Sequence, residues 1–323
     1  MSDFASAAMV GVVLSGMEKL GLDTQAVQHL APTKGAHIPL HAKQMLVAAA
    51  MAQGGWASLV QLGQGFHAHT DAPLHRALAS APDASTLLAR WCRLEKYVHS
   101  RHRVQCVQVL HHQARLQHIS LALHTPPSAA EDLVVLGLLC ALLQAQGLQQ
   151  VRAEIQGVAV FPTMDIQALP ALALRGQTAH WTLRWDSPAT TSPKQRIPPA
   201  STPDQLPTNL CDAMPWSTLA LQCAHAFLED LMHTHSVASI AHSLDLSARS
   251  LQRHLKYQGL SVSRIAAEVR LRSSAWWLLE TPLSLAETGF VCGFADQAHF
   301  NRSFKRHTGL TPGAYRTSFG VTK

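Results

Sequence analysis

The chain has 323 residues, of which 47% are hydrophobic, and its formal net charge is +6 at pH 7. This length is typical of two domains, and the hydrophobic content supplies a core and excludes a chain that is disordered throughout. We find no uncharged apolar run of about 18 residues, as a membrane span requires, and no basic region typical of a signal peptide. The six cysteines form no C-x-x-C pair. Together these features predict a cytoplasmic protein that does not contact a membrane.

The first part of the chain is predicted to be an α+β domain. Apolar residues recur every three or four positions in three stretches, which predicts helices over Ala5–Leu20, Leu40–Ala52 and Ser85–Val98. Apolar and polar residues alternate in four later stretches, which predicts strands over Val104–Leu110, Leu116–Leu123, Gly157–Phe161 and Ala179–Trp185. A helix over Glu131–Gln146 separates the second strand from the third. The order predicts helices and a small antiparallel sheet over residues 1–185.

A proline-rich stretch follows this domain. Seven of the seventeen prolines lie in Ser187–Pro215. Because proline lacks a backbone donor and breaks helices, we predict a linker over residues 186–215. Residues 216–323 are predicted to form short helices only, beginning with Trp216–Met232, and therefore an all-α domain.

The positive charge is concentrated at the C-terminal end. Residues 236–323 carry eleven Lys and Arg against five Asp and Glu, so their excess of six equals the net charge of the whole chain. The remainder of the chain is balanced. A neutral first domain with a basic second one indicates a polyanionic partner for the second.

Two short helices joined by a turn occur twice in this basic region. In the first copy, a helix over Val237–Leu244 precedes a turn, and Ser247 is placed to cap a second helix that ends near Gln258. Leu251 and Leu255 lie one turn apart and predict the core-facing side. A helix with Arg and Gln on its other side can enter the major groove of DNA, where Arg pairs with guanine and Gln with adenine. The candidate DNA contacts of this copy are Arg249, Ser250, Gln252, Arg253 and Lys256.

The second copy repeats the arrangement. A helix over Ser284–Val291 is followed by a turn at Gly293, and Asp296 is placed to cap a helix whose core side carries Phe300 and Phe304. Its candidate DNA contacts are Gln297, Ala298, His299, Arg302, Lys305 and Arg306, the last two to phosphates.

A connecting helix is predicted over Val262–Leu279. Its length of about 27 Å approaches the distance of about 34 Å between successive major grooves. One chain is therefore predicted to read two successive major grooves of duplex DNA.

The basic region resembles the DNA-binding domain of the AraC/XylS family of transcription regulators. The most specific residues are GFADQAHFNRSFKRHTGLTPGAYR over Gly293–Arg316. The preceding stretch EVRLRSSAWWLLETPLSLAE also fits the family, as an arginine-bearing linker helix followed by Leu-Leu and a short turn. The chain departs from the family at Thr288–Gly289, where an Ile-Ala pair is usual; glycine there costs about 0.5–1 kcal/mol relative to alanine. The resemblance implies two helix-turn-helix units and sequence-specific DNA binding over the last 90 or so residues.

The first domain resembles the arabinose-binding-like sensor domain of one branch of that family. The residues that carry this resemblance are MEKLGLDTQAVQHL, HIPLHAKQMLVAAA and ASTLLARWCRLEKYV. It implies that residues 1–185 bind a small organic effector. By the same resemblance, RNA polymerase and a second copy of the chain are candidate partners.

Two alternatives concern the first domain. An enzyme fused to a DNA-binding module, of the repair methyltransferase kind, requires a cysteine in a Pro-Cys-His motif, and none of the six cysteines has one. G-x-S-x-G, Walker and G-x-G-x-x-G motifs are also absent, so we predict no enzyme, no catalytic residue and no cofactor. The closely spaced histidine pairs do not match ligand spacing, and we predict no metal site. A first domain that binds only protein remains open.

Overall fold

The computed structural model describes residues 4–30, 37–69, 72–98, 101–122, 125–186 and 206–320. The chain forms two compact units, residues 1–195 and 196–323, which we call the N-terminal and C-terminal domains. The predicted class, an α+β domain followed by an all-α domain, is confirmed. The linker boundaries stay a prediction, because residues 187–205 lie outside the described residues. Residues 206–215 belong to the C-terminal domain, and Cys211 lies in its core.

The N-terminal domain combines helices with a five-stranded antiparallel sheet of strand order β3–β4–β7–β5–β6. Its elements are β1 (Phe4–Ser6), α1 (Ala7–Lys19), β2 (His37–Pro39), α2 (Leu40–Gln61), α3 (Pro73–Ala79), α4 (Ala84–Val98), β3 (His102–Leu110), β4 (Gln113–Ser120), α5 (Ala129–Ala145), β5 (Gln149–Ile155), β6 (Val158–Phe161), α6 (Leu169–Leu174) and β7 (His180–Asp186). Short 3-10 helices lie at Gln28–Leu30 and Leu62–His69. The strand β5 was not predicted, although Val151, Ala153 and Ile155 alternate with more exposed residues.

The helix α5 lies at the centre of the N-terminal domain. Every residue from Glu131 to Leu143 is buried, and a capping box between Ser128 and Glu131 begins the helix. A Cβ atom on Gly137 would overlap the carbonyl oxygen of Val60, and one on Gly63 would overlap the backbone of Gly137. These two glycines therefore allow the end of α2 and the start of the segment 62–69 to pack directly on the backbone of α5.

One stretch, His41–His69, is long and apolar enough to cross a membrane by length and composition alone. Gly55 interrupts it with a φ of 64°. Leu46, Leu59 and Leu62 within it are fully buried in the domain core. These buried positions and the break at Gly55 indicate a helix of the domain core, so this stretch is no evidence of a membrane span.

The C-terminal domain consists of seven helices among the residues described. They are α7 (Thr218–Glu229), α8 (Val237–Ser243), α9 (Ala248–Tyr257), α10 (Val262–Glu280), α11 (Leu285–Val291), α12 (Gln297–Thr308) and α13 (Pro312–Phe319). Ala220, Cys223 and Phe227 of α7 are buried in one core with residues of α8, α9 and the first half of α10. The second half of α10 packs against α11 and α13. The helices thus form two helix-turn-helix units, α8–α9 and α11–α12, on either side of the connecting helix α10.

Candidate nucleic-acid interface

The first helix-turn-helix unit is formed by α8 and α9. Ser236 begins α8 in a capping box with Ser239, and the turn after α8 passes through Asp245, whose φ is 54°. Ser247 begins α9, because its side chain accepts a hydrogen bond from the backbone N–H of Ser250 at 3.1 Å. Such caps satisfy backbone donors that a helix N-terminus leaves without an intrahelical partner. The predicted turn and the predicted Ser247 cap are confirmed.

The helix α9 has one buried face and one exposed face. Leu251 and Leu255 are fully buried in the core of the first unit, as their spacing predicted. Ser250 is half-buried and its hydroxyl accepts a hydrogen bond from Ser247 at 3.0 Å. The other candidate contacts are exposed, namely Arg249, Gln252, Arg253 and Lys256. Three cations and one amide therefore lie on the solvent side of a helix whose opposite side is fixed in a core.

The second unit is built with the same devices. Ser284 and Glu287 form the capping box of α11. Gly293 occupies the turn with a φ of 77°, a left-handed conformation that favours glycine. The carboxylate of Asp296 accepts the backbone N–H of His299 at 2.7 Å and begins α12. The predicted glycine turn and Asp296 cap are confirmed.

The helix α12 also divides into two faces. Phe300 and Phe304 are fully buried; the ring of Phe300 packs on Phe294 at a centroid distance of 4.9 Å, and that of Phe304 packs on Tyr315 at 5.1 Å. The exposed candidate contacts are Ala298, His299, Arg302, Lys305 and Arg306. The aromatic core thus fixes the rotation of α12 and places the basic residues at its surface.

Two polar side chains at the start of α12 are oriented by neighbours. Nδ1 of His299 accepts the N–H of Ala295 at 3.3 Å, and its ring packs edge-on against Phe294. A neutral imidazole that accepts at Nδ1 carries its proton on Nε2, so we assign Nε2 of this exposed ring as a donor. Gln297 is half-buried and donates to Oδ1 of Asn301 at 3.2 Å. Asn301 is exposed and was not predicted, although its position one helical turn after Gln297 was a usable signal.

The helix α10 connects the two units. Its 19 residues correspond to a length of about 28 Å, close to the predicted length. Its last turn is closed by two side chains: the hydroxyl of Thr281 donates to the carbonyl of Trp277 at 2.7 Å, and Nε of Arg316 donates to that of Leu278 at 3.0 Å. Arg316, the last residue of the predicted signature, therefore ties α13 to α10.

Three acidic side chains close to the basic residues in sequence have structural partners. Glu268 pairs with Arg272 of α10 at 2.9 Å, while Glu287 and Asp296 cap helices. The six Lys and Arg side chains on the exposed faces of α9 and α12 form no ion pair within 4.0 Å with the residues that the structure describes. The basic charge of both helices thus remains available to a polyanion.

A separate cluster of polar groups is buried in the N-terminal domain and was not predicted from the sequence. The carboxylate of Asp132 accepts hydrogen bonds from the hydroxyl of Thr178 at 2.6 Å and from Nδ1 of His118 at 2.8 Å. All three side chains are buried. The available signal was a pair of acidic residues, Glu131 and Asp132, at the start of an otherwise apolar helix; its partners come from distant parts of the chain.

Titratable groups extend this cluster. Lys43 is 1% exposed; burial lowers the pKa of its ammonium group, and the carboxylates of Glu131 and Glu95 oppose that shift. Burial also raises the pKa of Glu95 to about 8 and lowers the pKa of His102 to about 4. We call these groups the polar cluster; its members are Lys43, Glu95, His102, His118, Glu131, Asp132 and Thr178. Buried groups with shifted pKa values are common at functional sites.

Comparison with known proteins addresses the C-terminal domain. A family model described as a helix-turn-helix domain matches residues 222–318. Over 76 residues the chain is 38% identical to the ornithine utilization regulator of Pseudomonas aeruginosa, which is 24% of this chain and 22% of that protein. Over 87 residues it is 34% identical to the transcriptional regulator VirS of Mycobacterium tuberculosis, which is 27% of this chain and 26% of that protein.

The chain spans about a quarter of the length of these two relatives, 22% and 26%. Both are named as regulators and not as enzymes. Among solved structures, the transcriptional regulator CdpR of Pseudomonas aeruginosa aligns over 95% of this chain and 96% of its own, with 17% identity and a TM-score of 0.32. A TM-score this low gives no evidence about the fold or function of the N-terminal domain.

Proposed function

We propose that this chain, whose residues 222–318 match a helix-turn-helix family model, is a sequence-specific DNA-binding transcription regulator of the AraC/XylS type. The observation that carries the proposal is the pair of exposed basic faces on α9 and α12, each fixed by a fully buried face behind it. The single helix α10 connects the two units that carry these faces. In the proposed complex each helix enters one of two successive major grooves.

The exposed side chains are proposed to divide between reading and positioning. Arg253 and Arg302 contact guanine edges, and Gln252 contacts adenine. Arg249, Lys256, Lys305 and Arg306 contact phosphates, while Ser250, Gln297, Ala298 and His299 contribute at the groove edge. The half-buried side chain of Gln297, bonded to Asn301, favours a supporting role for it.

Selection of bound sites from random duplex DNA tests this division. We expect Arg253→Ala and Arg302→Ala to lose preference at particular base pairs, by about 1–3 kcal/mol each. Lys305→Ala should weaken binding to all sequences alike and reduce the slope of log affinity against log salt by about 0.9. Arg175→Ala, which removes an exposed arginine of the N-terminal domain, is the charge-matched control. Arginine variants with an unchanged base profile would reassign both residues to phosphates.

The N-terminal domain is proposed to sense a small organic effector in the cytoplasm, with RNA polymerase and a second copy of the chain as further partners. The polar cluster supports the sensing role, because desolvated charged groups provide specific partners for a polar ligand. An effector acts only through different affinities for two arrangements of the protein, typically about 1–3 kcal/mol apart. The effector and operator DNA must then change each other's affinity by the same factor.

Calorimetry of the full chain with and without operator DNA tests this reciprocity for any effector found by thermal-shift screening. His118→Asn and Thr178→Val alter the polar cluster and should weaken effector binding while DNA affinity without effector is retained. An effector that binds the intact chain and leaves DNA affinity unchanged would contradict the coupling. The N-terminal domain would then be a protein-binding or dimerising module.

A further inference from the structure

Two thiols meet at one edge of the sheet in the N-terminal domain. Sγ of Cys92 on α4 lies 3.6 Å from Sγ of Cys106 on β3. β3 is an outer strand of the sheet, and two side chains of α4, one helical turn apart, bond to its backbone at Val104. Glu95 accepts the Val104 N–H at 2.6 Å, and the thiol of Cys92 donates to the Val104 carbonyl at 3.3 Å. The position of Cys92 beside Cys106 is therefore fixed by the contact between helix and strand.

The pair differs from the other cysteines in exposure. Cys106 is exposed and Cys92 is half-buried, whereas the other four are buried, namely Cys140, Cys211, Cys223 and Cys292. A packing role alone would not require solvent access to a thiol. An oxidant in solution can reach Cys106 before it reaches any of the buried four.

The local backbone also permits the two sulfurs to approach. They are 3.6 Å apart, roughly 1.5 Å more than the disulfide bond length of about 2.05 Å. The β3–β4 register shifts between Cys106 and Gln108, so the ladder is irregular beside the strand cysteine. Irregular pairing leaves the backbone at Cys106 less constrained than in a regular ladder.

The two thiols differ in acidity. The hydrogen bond from Cys92 lowers the pKa of Cys106, whereas that same contact and burial raise the pKa of Cys92. The single proton of Cys92 can point to the Val104 carbonyl or to the sulfur of Cys106, and ionisation of Cys106 favours the second. Cys106 is thus the nucleophile, and Cys92 keeps its proton until it attacks in turn.

We propose that Cys92 and Cys106 form an oxidisable dithiol that a peroxide converts to an intramolecular disulfide. The Cys106 sulfur attacks one peroxide oxygen, the O–O bond breaks, and the products are Cys106 sulfenic acid and hydroxide. The Cys92 sulfur then attacks the sulfenic sulfur, the S–S bond forms and the S–O bond breaks. The sulfenic oxygen leaves as water with the Cys92 proton. Two thiols are oxidised, and one peroxide is reduced to two waters after the hydroxide takes up the Cys106 proton.

Peptide mapping of the full-length reduced protein tests the proposal. The protein is treated with hydrogen peroxide, quenched, unfolded, alkylated with iodoacetamide and digested with trypsin without reductant. We expect a linked pair of peptides, Trp91–Arg93 and Val104–Arg115, two hydrogens lighter than the free peptides together. It should form while the four buried cysteines still alkylate fully, which makes them an internal control.

Serine variants separate the two steps. Serine keeps a donor for the Val104 carbonyl, so Cys92→Ser should fold, accumulate sulfenic acid at Cys106 that dimedone traps, and form no disulfide. Cys106→Ser should lose the rapid reaction. Three results would overturn the proposal: oxidation of Cys106 no faster than that of the buried cysteines, disulfides only between chains, or sulfinic acid at Cys106 of the unmutated protein without a link to Cys92. If a variant fails to fold, peptide mapping of the wild-type protein still tests the proposal.

Discussion

The second helix-turn-helix unit offers a matched pair of glycine substitutions, one in its turn at Gly293 and one after the end of α12 at Gly309. Gly293 and Gly309 both adopt left-handed conformations, with φ of 77° and 79°. A Cβ atom on Gly293 would overlap the carbonyl oxygen of Leu231 and lie 3.3 Å from Nε of Arg270. A Cβ on Gly309 would meet nothing within 4 Å. Gly309→Ala therefore measures backbone strain alone, and Gly293→Ala measures strain plus a clash.

The expected losses of stability follow from these two contributions. A left-handed alanine costs about 1–2 kcal/mol, and the lower entropy of its unfolded chain offsets about 0.4–1 kcal/mol of that. Gly309→Ala should thus lower the free energy of unfolding by about 1 kcal/mol. Overpacking adds about 1–3 kcal/mol at Gly293, because a backbone carbonyl and not a flexible side chain must move. Gly293→Ala should therefore lose about 2–4 kcal/mol.

Native-state hydrogen exchange of the full chain, read by peptide mass spectrometry, measures both losses locally. The amides of α11 and α12 should lose more protection in Gly293→Ala than in Gly309→Ala. DNA affinity should fall in the same order, since the clash displaces the second unit from the loop that precedes the first. Equal losses in the two variants would refute the reasoning, because they would show that Leu231 does not press on this turn.

Three further outcomes are expected. Asp296→Ala removes the cap of α12 and should lower stability by about 1 kcal/mol in urea unfolding, with recovery in Asp296→Asn; an unchanged midpoint would contradict the cap. Burial lowers the pKa of His102 to about 4. The contribution of the neutral His102 ring to folding stability is therefore complete above the ordinary histidine pKa of about 6.5, and it is lost as the pH falls through about 4. Between these two pH values the free energy of unfolding of the wild type should fall by up to about 3 kcal/mol relative to that of His102→Gln. Parallel profiles of stability against pH for the two proteins would exclude this. Arg316→Ala leaves the Leu278 carbonyl without its arginine and should cost about 1–3 kcal/mol, measured by thermal unfolding; a Tm equal to wild type would exclude a capping role.

Most of the C-terminal domain could be predicted because its signals are local. Ser247 and Asp296 bond to backbone groups three residues later, and Gly293 carries its left-handed conformation within its own turn. The apolar pairs on α9 and α12 lie four residues apart and identify the buried faces without knowledge of the rest of the fold. The roles of the exposed side chains toward DNA stay a prediction, since exposure shows availability and not contact.

The N-terminal domain was predicted less completely because its decisive contacts join distant residues. Asp132 bonds to Thr178, 46 residues later, and neither residue stands out in its own segment. The strand β5 begins with two exposed glutamines, so its alternation covers only residues 151–155. Cys92 and Cys106 match no spacing motif and meet only because α4 covers the outer edge of β3.

The close approach of Leu231 to Gly293 is expected to determine how α9 and α12 respond to a change in α7. Leu231 lies in the loop between α7 and α8, and Phe227 of α7 shares its core with the first unit. The same loop presses on the turn of the second unit, beside Arg270 of α10. A displacement of α7 would therefore reach both units, through the core to α9 and through the loop to α12. An effector signal that enters at α7 is thus expected to change the relative placement of α9 and α12, which alters the groove spacing they fit and not the base preference of either.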